Sequence, residues 1–186
     1  MPNPTTYAGA RDAGAVVHSR PRAVLVGPPG AGKTTIGRRL ASSLNVPLVD
    51  SDLLLEEGEG KACGDVYVER GEEGFREIEA TYVARALATG GIVSLGGGAV
   101  VTETTRQLLI PHTVVWVDVS AEEGIRRTSS STTRPVLASA DPAQRYRDLL
   151  EERAPLYREV SDFRVRTDGR PPQRVVADVL GFIESL

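Results

Sequence analysis

The chain is poor in several features that mark whole classes of protein. It carries a single cysteine, Cys63, in 186 residues, so an internal disulfide framework is excluded and a reducing, cytoplasmic setting is expected. Its longest apolar stretch, residues 113–119, is strand-sized and contains Asp118, too short to span a bilayer. The first residues lack the apolar core of a signal peptide. Positive charge is not in excess: the net charge is -3, which argues against a surface built to neutralise nucleic acid. Lysine is almost missing, since only Lys33 and Lys61 of the 22 basic residues are lysine. Neither an internal repeat nor a domain-linking stretch is found. What is present, 40% hydrophobic and 25% charged residues, suffices for one soluble domain over residues 21–186.

Residues 1–20, rich in Pro, Ala, Gly and Thr and without period, read as a flexible tail. Order is expected from Arg22, where Ala23-Val24-Leu25-Val26 has the pattern of a strand buried on both faces. A glycine-rich turn follows, then a helix with Ile36, Leu40 and Leu44 on one side. Further strands are expected at 46–49, 92–95, 113–119 and 163–165. Between them lie a polar stretch through Gly64, a helix over 72–87, and a helix opened by a capping box of Ser120 and Glu123. A mobile loop is expected over 128–140. Asp141 and Pro142 then start a helix that should end or bend near Pro155, and 172–186 reads as a last amphipathic helix. Strands alternating with helices predict an α/β fold with a parallel sheet covered on both faces.

Gly27-Pro28-Pro29-Gly30-Ala31-Gly32-Lys33-Thr34 matches G-x-x-x-x-G-K-[ST], with a strand before it and a helix after it. The glycines let the backbone curl so that successive N–H groups point at phosphate oxygens, and the following helix adds its positive end. Lys33 supplies a compact charge for the β- and γ-phosphates, where the planar head of an arginine would not serve. Thr34 offers a hydroxyl to Mg²⁺. The alternative is a glycine-rich turn that matches by chance.

A phosphate cradle alone does not choose among kinases, GTPases and motors, but the sequence has no N-K-x-D segment for reading guanine. Asp50-Ser51-Asp52 ends the second strand, and ligands of open α/β sheets bind beyond the carboxyl ends of strands. Asp50 is placed to organise Mg²⁺ through water, and Asp52 to accept a hydrogen bond, and the proton, of a substrate hydroxyl. The competing reading is an Asx turn that caps the next helix. Gly96-Gly97-Gly98 after the third strand suits close approach of backbone to a ligand, or else a plain tight turn. Arg76, Arg134 and Arg153 carry planar forks suited to carboxylates and phosphates.

Taken together, residues 27–35, Asp50-Ser51-Asp52, Gly71-Glu72 with Phe75-Arg76 and Glu79, Gly96-Gly97-Gly98, Thr133-Arg134-Pro135 and Arg153-Ala154-Pro155-Leu156-Tyr157 resemble the shikimate kinases. The match runs in register from about Arg22 to the C-terminus. The resemblance implies a P-loop kinase fold around a five-stranded parallel sheet, with a substrate-binding region over about 51–88 and a lid over about 128–141. It implies transfer of the γ-phosphoryl group of ATP to the 3-hydroxyl of shikimate by a cytoplasmic monomer that uses Mg²⁺. Carried over by position, Gly30, Ala31, Gly32, Lys33, Thr34 and Thr35 hold the phosphates. Asp52 is the base, Arg76 and Arg153 grip the shikimate carboxylate, and the backbone of Gly97 and Gly98 supports the ring. Arg134 stabilises the transferring group, and Arg127 and Arg170 lie on the adenine side.

Some positions depart from the family pattern. Ser51 stands where threonine is common, and its side chain is expected to point outward and matter little. Residues 62–67, Ala-Cys-Gly-Asp-Val-Tyr, stand where relatives carry Ser-Ile and Ile-Phe. Gly74 within a helix costs about 1 kcal/mol relative to alanine. Cys63, His18 and His112 lack any partner pattern and read as structural or surface residues. Two other functions compete: a kinase for another hydroxylated acid such as gluconate, and a nucleotide-binding regulator without catalysis. Arg76, the three glycines and Arg153 favour shikimate over the first; Lys33, Thr34, Asp52 and Arg134 speak against the second.

Overall fold

The computed structural model describes residues 19–130 and 138–186. Most of the expected tail and half of the expected lid, Arg134 included, therefore lie outside the described residues. The chain runs β1 (Pro21–Val26), α1 (Lys33–Leu44), β2 (Leu48–Asp50), α2 (Ser51–Glu59), α3 (Cys63–Leu87), β3 (Gly91–Ser94), a 3-10 turn (Ala99–Val101), α4 (Glu103–Leu109), β4 (Val114–Asp118), α5 (Ala121–Thr128), α6 (Pro142–Val160), β5 (Phe163–Arg166) and α7 (Pro172–Glu184). The five strands form one sheet in the order β2-β3-β1-β4-β5, with every neighbouring pair parallel.

Alternation along the buried strands divides the core. Ala23 and Leu25 of β1, with Ile92, Val115, Val117 and Val165, pack against Ile36 and Leu40 of α1 and Val175 and Val179 of α7. Val24 and Val26, with Val93 and Trp116, pack against Val83 and Ala86 of α3 and Tyr157 of α6. A strand buried on both faces reads as a continuous apolar run for this reason. Leu25 and Asp50 both pair with Ser94, so β1, β2 and β3 end level, and the three loops that follow them open on one crevice.

Several expectations are corrected. The polar stretch after the second strand is helical: α2 begins at Ser51, and α3 begins at Cys63, with a break at Gly71 (φ 70°, ψ 175°) that only glycine adopts easily. Its helicity is masked in the sequence because only Ser51, Leu55 and Val66 are buried between positions 51 and 70, which leaves too few apolar residues to show a period. The 3-10 turn and α4 were likewise not anticipated. Helix α6 continues through Pro155 to Val160; the carbonyl that loses its donor belongs to Glu151, which is exposed and reaches water. The capping box at Ser120 is half formed. Its hydroxyl accepts from Glu123 N–H at 3.3 Å, but the Ser120 N–H donates to Asp168, and Glu123 turns to arginines instead.

Candidate active site

The crevice at the level strand ends is a cleft of about 1290 Å³. Residues 29–35 form one wall. Gly30 and Gly32 hold φ of 78° and 95°, the left-handed region in which a side chain is strained. The Lys33 ammonium donates to the carbonyls of Gly27 (2.7 Å) and Pro28 (2.9 Å), so the cation is drawn over the curled loop. Thr34 and Thr35 border the same space. Arg127 braces the wall from α5: its guanidinium donates to the Gly30 carbonyl at 3.1 Å and to Thr167 Oγ1 at 3.0 Å. Glu123 fixes Arg127 through Nε at 2.7 Å, and hydrogen bonds from Arg126 and Arg127 hold the Glu123 carboxyl down to about 2. Arg170 also borders the cleft, ion-paired with Asp178 at 2.6 Å.

Asp50 and Asp52, consecutive but for one residue, have separate duties. Asp50 caps α2, its Oδ1 accepting from the N–H groups of Asp52 (2.9 Å) and Leu53 (3.3 Å), as the Asx-turn reading requires, while it still borders the cleft. Asp52 follows in the first turn and borders the cleft. Ser51 contradicts its expected outward orientation. It is 2% exposed, and its hydroxyl accepts the Gly96 N–H at 3.2 Å, because the start of α2 packs directly on the loop after β3.

That loop explains its three glycines one at a time. A Cβ at Gly96 would lie 2.5 Å from an Asp52 carboxylate oxygen, one at Gly97 2.9 Å from Pro29 Cδ, and one at Gly98 2.5 Å from both terminal nitrogens of Arg76. Each glycine thus clears a different neighbour, and the loop is not a plain turn.

Arg76 on α3 and Arg153 on α6 are 9% and 6% exposed. Their side chains enter one end of the cleft with Glu79. Arg76 pairs with Glu79 at 2.7 Å, while its Nε is buried with no partner among the described residues. Burial pushes the Glu79 carboxyl up, and the Arg76 guanidinium opposes that shift. Cys63 also borders this half, its Sγ 3.6 Å from the Asp52 carbonyl; burial and the neighbouring carboxylates push its thiol far up, so it is a poor nucleophile.

Every predicted site residue that the structure describes borders this one cleft: Gly30, Ala31, Gly32, Lys33, Thr34, Thr35, Asp50, Asp52, Arg76, Gly97, Gly98, Arg127, Arg153 and Arg170. Sequence reasoning left out Thr167 and the roles of Ser51, Glu79, Tyr146 and Tyr157. Glu79 is three residues beyond Arg76 on a helix, a spacing that places the pair on one face. Thr167, by contrast, has no local signal.

A family model described as shikimate kinase matches residues 29–184. A shikimate kinase of Corynebacterium efficiens is 63% identical over 166 residues, covering 89% of this chain and 98% of the relative. The solved structure of shikimate kinase from Acinetobacter baumannii in complex with shikimate superposes with a TM-score of 0.83 at 34% identity, covering 90% of this chain and 94% of that one. A gluconokinase from Sinorhizobium meliloti, at 16% identity and a TM-score of 0.56 over 88% of this chain and 91% of that one, shares the fold alone. The phosphate loop, the paired arginines and the breadth of these matches agree, and the chain belongs to the shikimate kinase family.

Proposed function

We propose that this cleft transfers the γ-phosphoryl group of ATP to the 3-hydroxyl of shikimate, giving shikimate 3-phosphate and ADP. The observation that carries the reading is the pairing of two walls in one cleft. A phosphate loop with Lys33 forms the first, and Asp52, Arg76 and Arg153 around the glycine loop form the second. Gluconate fits less well, because two buried guanidinium groups and a close backbone floor favour a rigid ring that bears a carboxylate.

In this reading the N–H groups of residues 30–35 and Lys33 hold the triphosphate. Arg76 and Arg153 clamp the acceptor carboxylate, the backbone of Gly97 and Gly98 underlies the ring, and Asp52 orients the hydroxyl and takes its proton as the O–P bond forms. Phosphoryl transfer asks for positioning and charge neutralisation more than covalent help. Arg134, outside the described residues, is assigned to charge on the transferring group, and the lid of 128–141 to exclusion of water. Arg127 and Arg170 are assigned to the nucleotide side, supported by their place against the phosphate loop and at the cleft border.

The donor set also fits Mg²⁺. Thr34 and Asp50, one oxygen of which caps α2, border the cleft beside the phosphate loop, and no cluster of three or more acidic, His or Cys ligands occurs among the described residues. That suits an ion that keeps several waters and takes oxygens from phosphate. When bound there it neutralises phosphate charge. We also read the chain as a cytoplasmic monomer, as its family membership suggests; no helix among the described residues is long and apolar enough to cross a membrane.

The test is ADP release with Mg-ATP and shikimate, gluconate or no acceptor. Fast release with shikimate alone is expected. Release that gluconate stimulates equally, or that no acid stimulates, would overturn the substrate assignment.

A further inference from the structure

The two walls of the cleft belong to loops that are far apart in sequence, yet transfer requires them at a fixed separation. Helix α6 touches both. Tyr146 and Tyr157 are eleven residues apart, about three helical turns, and so project from one face. Each is 1% exposed. The Tyr146 hydroxyl donates to the Pro29 carbonyl of the phosphate loop at 2.7 Å, and the Tyr157 hydroxyl donates to the Gly97 carbonyl of the glycine loop at 2.6 Å. Arg153 lies between them on the same face, seven residues after one and four before the other. The two gripped loops also touch each other, since a Cβ at Gly97 would meet Pro29.

Both phenols are held in place by packing as well as by hydrogen bonds. The Tyr157 ring lies 5.7 Å from that of Trp116 on β4. Tyr146 leaves no room for a side chain at position 124: a Cβ there would run into its hydroxyl. Neither tyrosine lines the cleft.

We infer that Tyr146 and Tyr157 are positioning residues that make α6 a spacer between donor and acceptor, setting the distance between the phosphate loop and the glycine loop. The inference rests on the phosphoryl-transfer reading above. A merely structural role would lower stability and leave turnover of the folded protein alone. A spacer acts on turnover, because misplacing reacting atoms by about 1 Å can cost up to about 100-fold in rate.

The experiment compares wild type with Tyr146→Phe, Tyr157→Phe and the double variant. It measures thermal midpoint, dissociation constants for ATP and shikimate, and kcat well below the midpoint. Each single variant is expected to lose about tenfold in kcat while either dissociation constant moves less than about threefold. The double variant is expected to lose far less than the product of the two, because both bonds set one distance. Unchanged kcat in both single variants, with lowered midpoints, overturns the spacer role, as does full multiplicativity in the double variant. Should Tyr157→Phe not fold, Tyr146→Phe carries the same comparison. Wild-type protein that phosphorylates no shikimate overturns the reading of the cleft and the spacer with it, an outcome distinct from active wild type with unaffected variants.

Discussion

The two halves of the cleft are built on different principles. The donor half is one contiguous loop whose working groups are backbone N–H groups and a single lysine that donates to the loop's own carbonyls. Its outer braces, Arg127, Thr167 and Tyr146, all bond to the loop's backbone oxygens. The acceptor half is made of side chains from α2, α3 and α6 that converge on three glycines. Its charges are buried and mutually dependent: Arg76, Glu79 and Arg153 share one end of the cleft. A backbone cradle keeps its phosphate-binding N–H groups whatever side-chain brace is lost and suffers only in where it stands, whereas a cluster of buried charges transmits the loss of any member to the others.

The largest expected effect isolates the acceptor half chemically. Asp52→Asn keeps shape and removes the proton acceptor, so kcat should fall by roughly 100- to 10,000-fold while ATP affinity stays within error. Steady-state kinetics with ATP binding measured separately checks this. Turnover close to wild type would remove Asp52 from the chemistry, and a parallel loss of ATP binding would mean that the halves are not separable.

Next come the two arginines, which sharpen the contrast within the acceptor half. Arg153→Ala and Arg76→Ala should both raise the KM for shikimate and leave that for ATP alone. Only Arg76→Ala strips a direct partner from Glu79, which is 3% exposed, and it should cost about 3–5 kcal/mol of stability at neutral pH. The pH dependence follows from the direction of the Glu79 shift. Burial holds its folded-state value above the ordinary 4.5, and Arg76 opposes that rise, so removing Arg76 lifts it further. A carboxyl raised in the folded state favours folding when protonated: stability is fullest below the unfolded value and is lost as pH rises through the folded one. The thermal midpoint of Arg76→Ala should therefore climb between pH 7 and pH 5, and Glu79→Gln added to it should flatten that climb. A flat profile in the single variant would show that Glu79 finds another partner.

The same contrast explains what could be read from the sequence. The loop of the donor half was legible because its motif is contiguous and its flanking strand and helix are strongly patterned, but its braces Thr167 and Tyr146, distant in sequence, were not. The sheet was legible as well, since runs such as Ala23-Val24-Leu25-Val26 fill both cores. Arg76 and Arg153 took roles only through a set of motifs in order, because a lone arginine among many carries no address, whereas Asp52 was marked already by its place at a strand end. Helix α2 and the first part of α3 were missed because only Ser51, Leu55 and Val66 are buried there, too few to show a helical period. Ser51 was misjudged for a different reason. Helix α2 starts directly at the end of β2, so its first residue faces the loop after β3 and not solvent, and nothing local in D-S-D announces that.

Ser51 gives the smallest effect and tests how the glycine loop is held. Its hydroxyl is the acceptor for the Gly96 N–H, and the neighbouring Asp52 carboxylate occupies the space that a Cβ on the same glycine would need. Ser51→Ala leaves that N–H unpaired in a site that is 2% exposed, which should cost about 1–3 kcal/mol. For a chain of this size that corresponds to a midpoint lower by roughly 2–4 °C for each kcal/mol. Asp52 would shift with the loop, so a rise of about two- to threefold in the KM for shikimate is expected beside an unchanged KM for ATP. Ser51→Thr keeps the acceptor oxygen and should recover both values. An alanine variant with wild-type midpoint and KM would mean that Asp52 and Tyr157 hold the loop without the serine, and the acceptor half would then depend on its charges and the α6 contact alone.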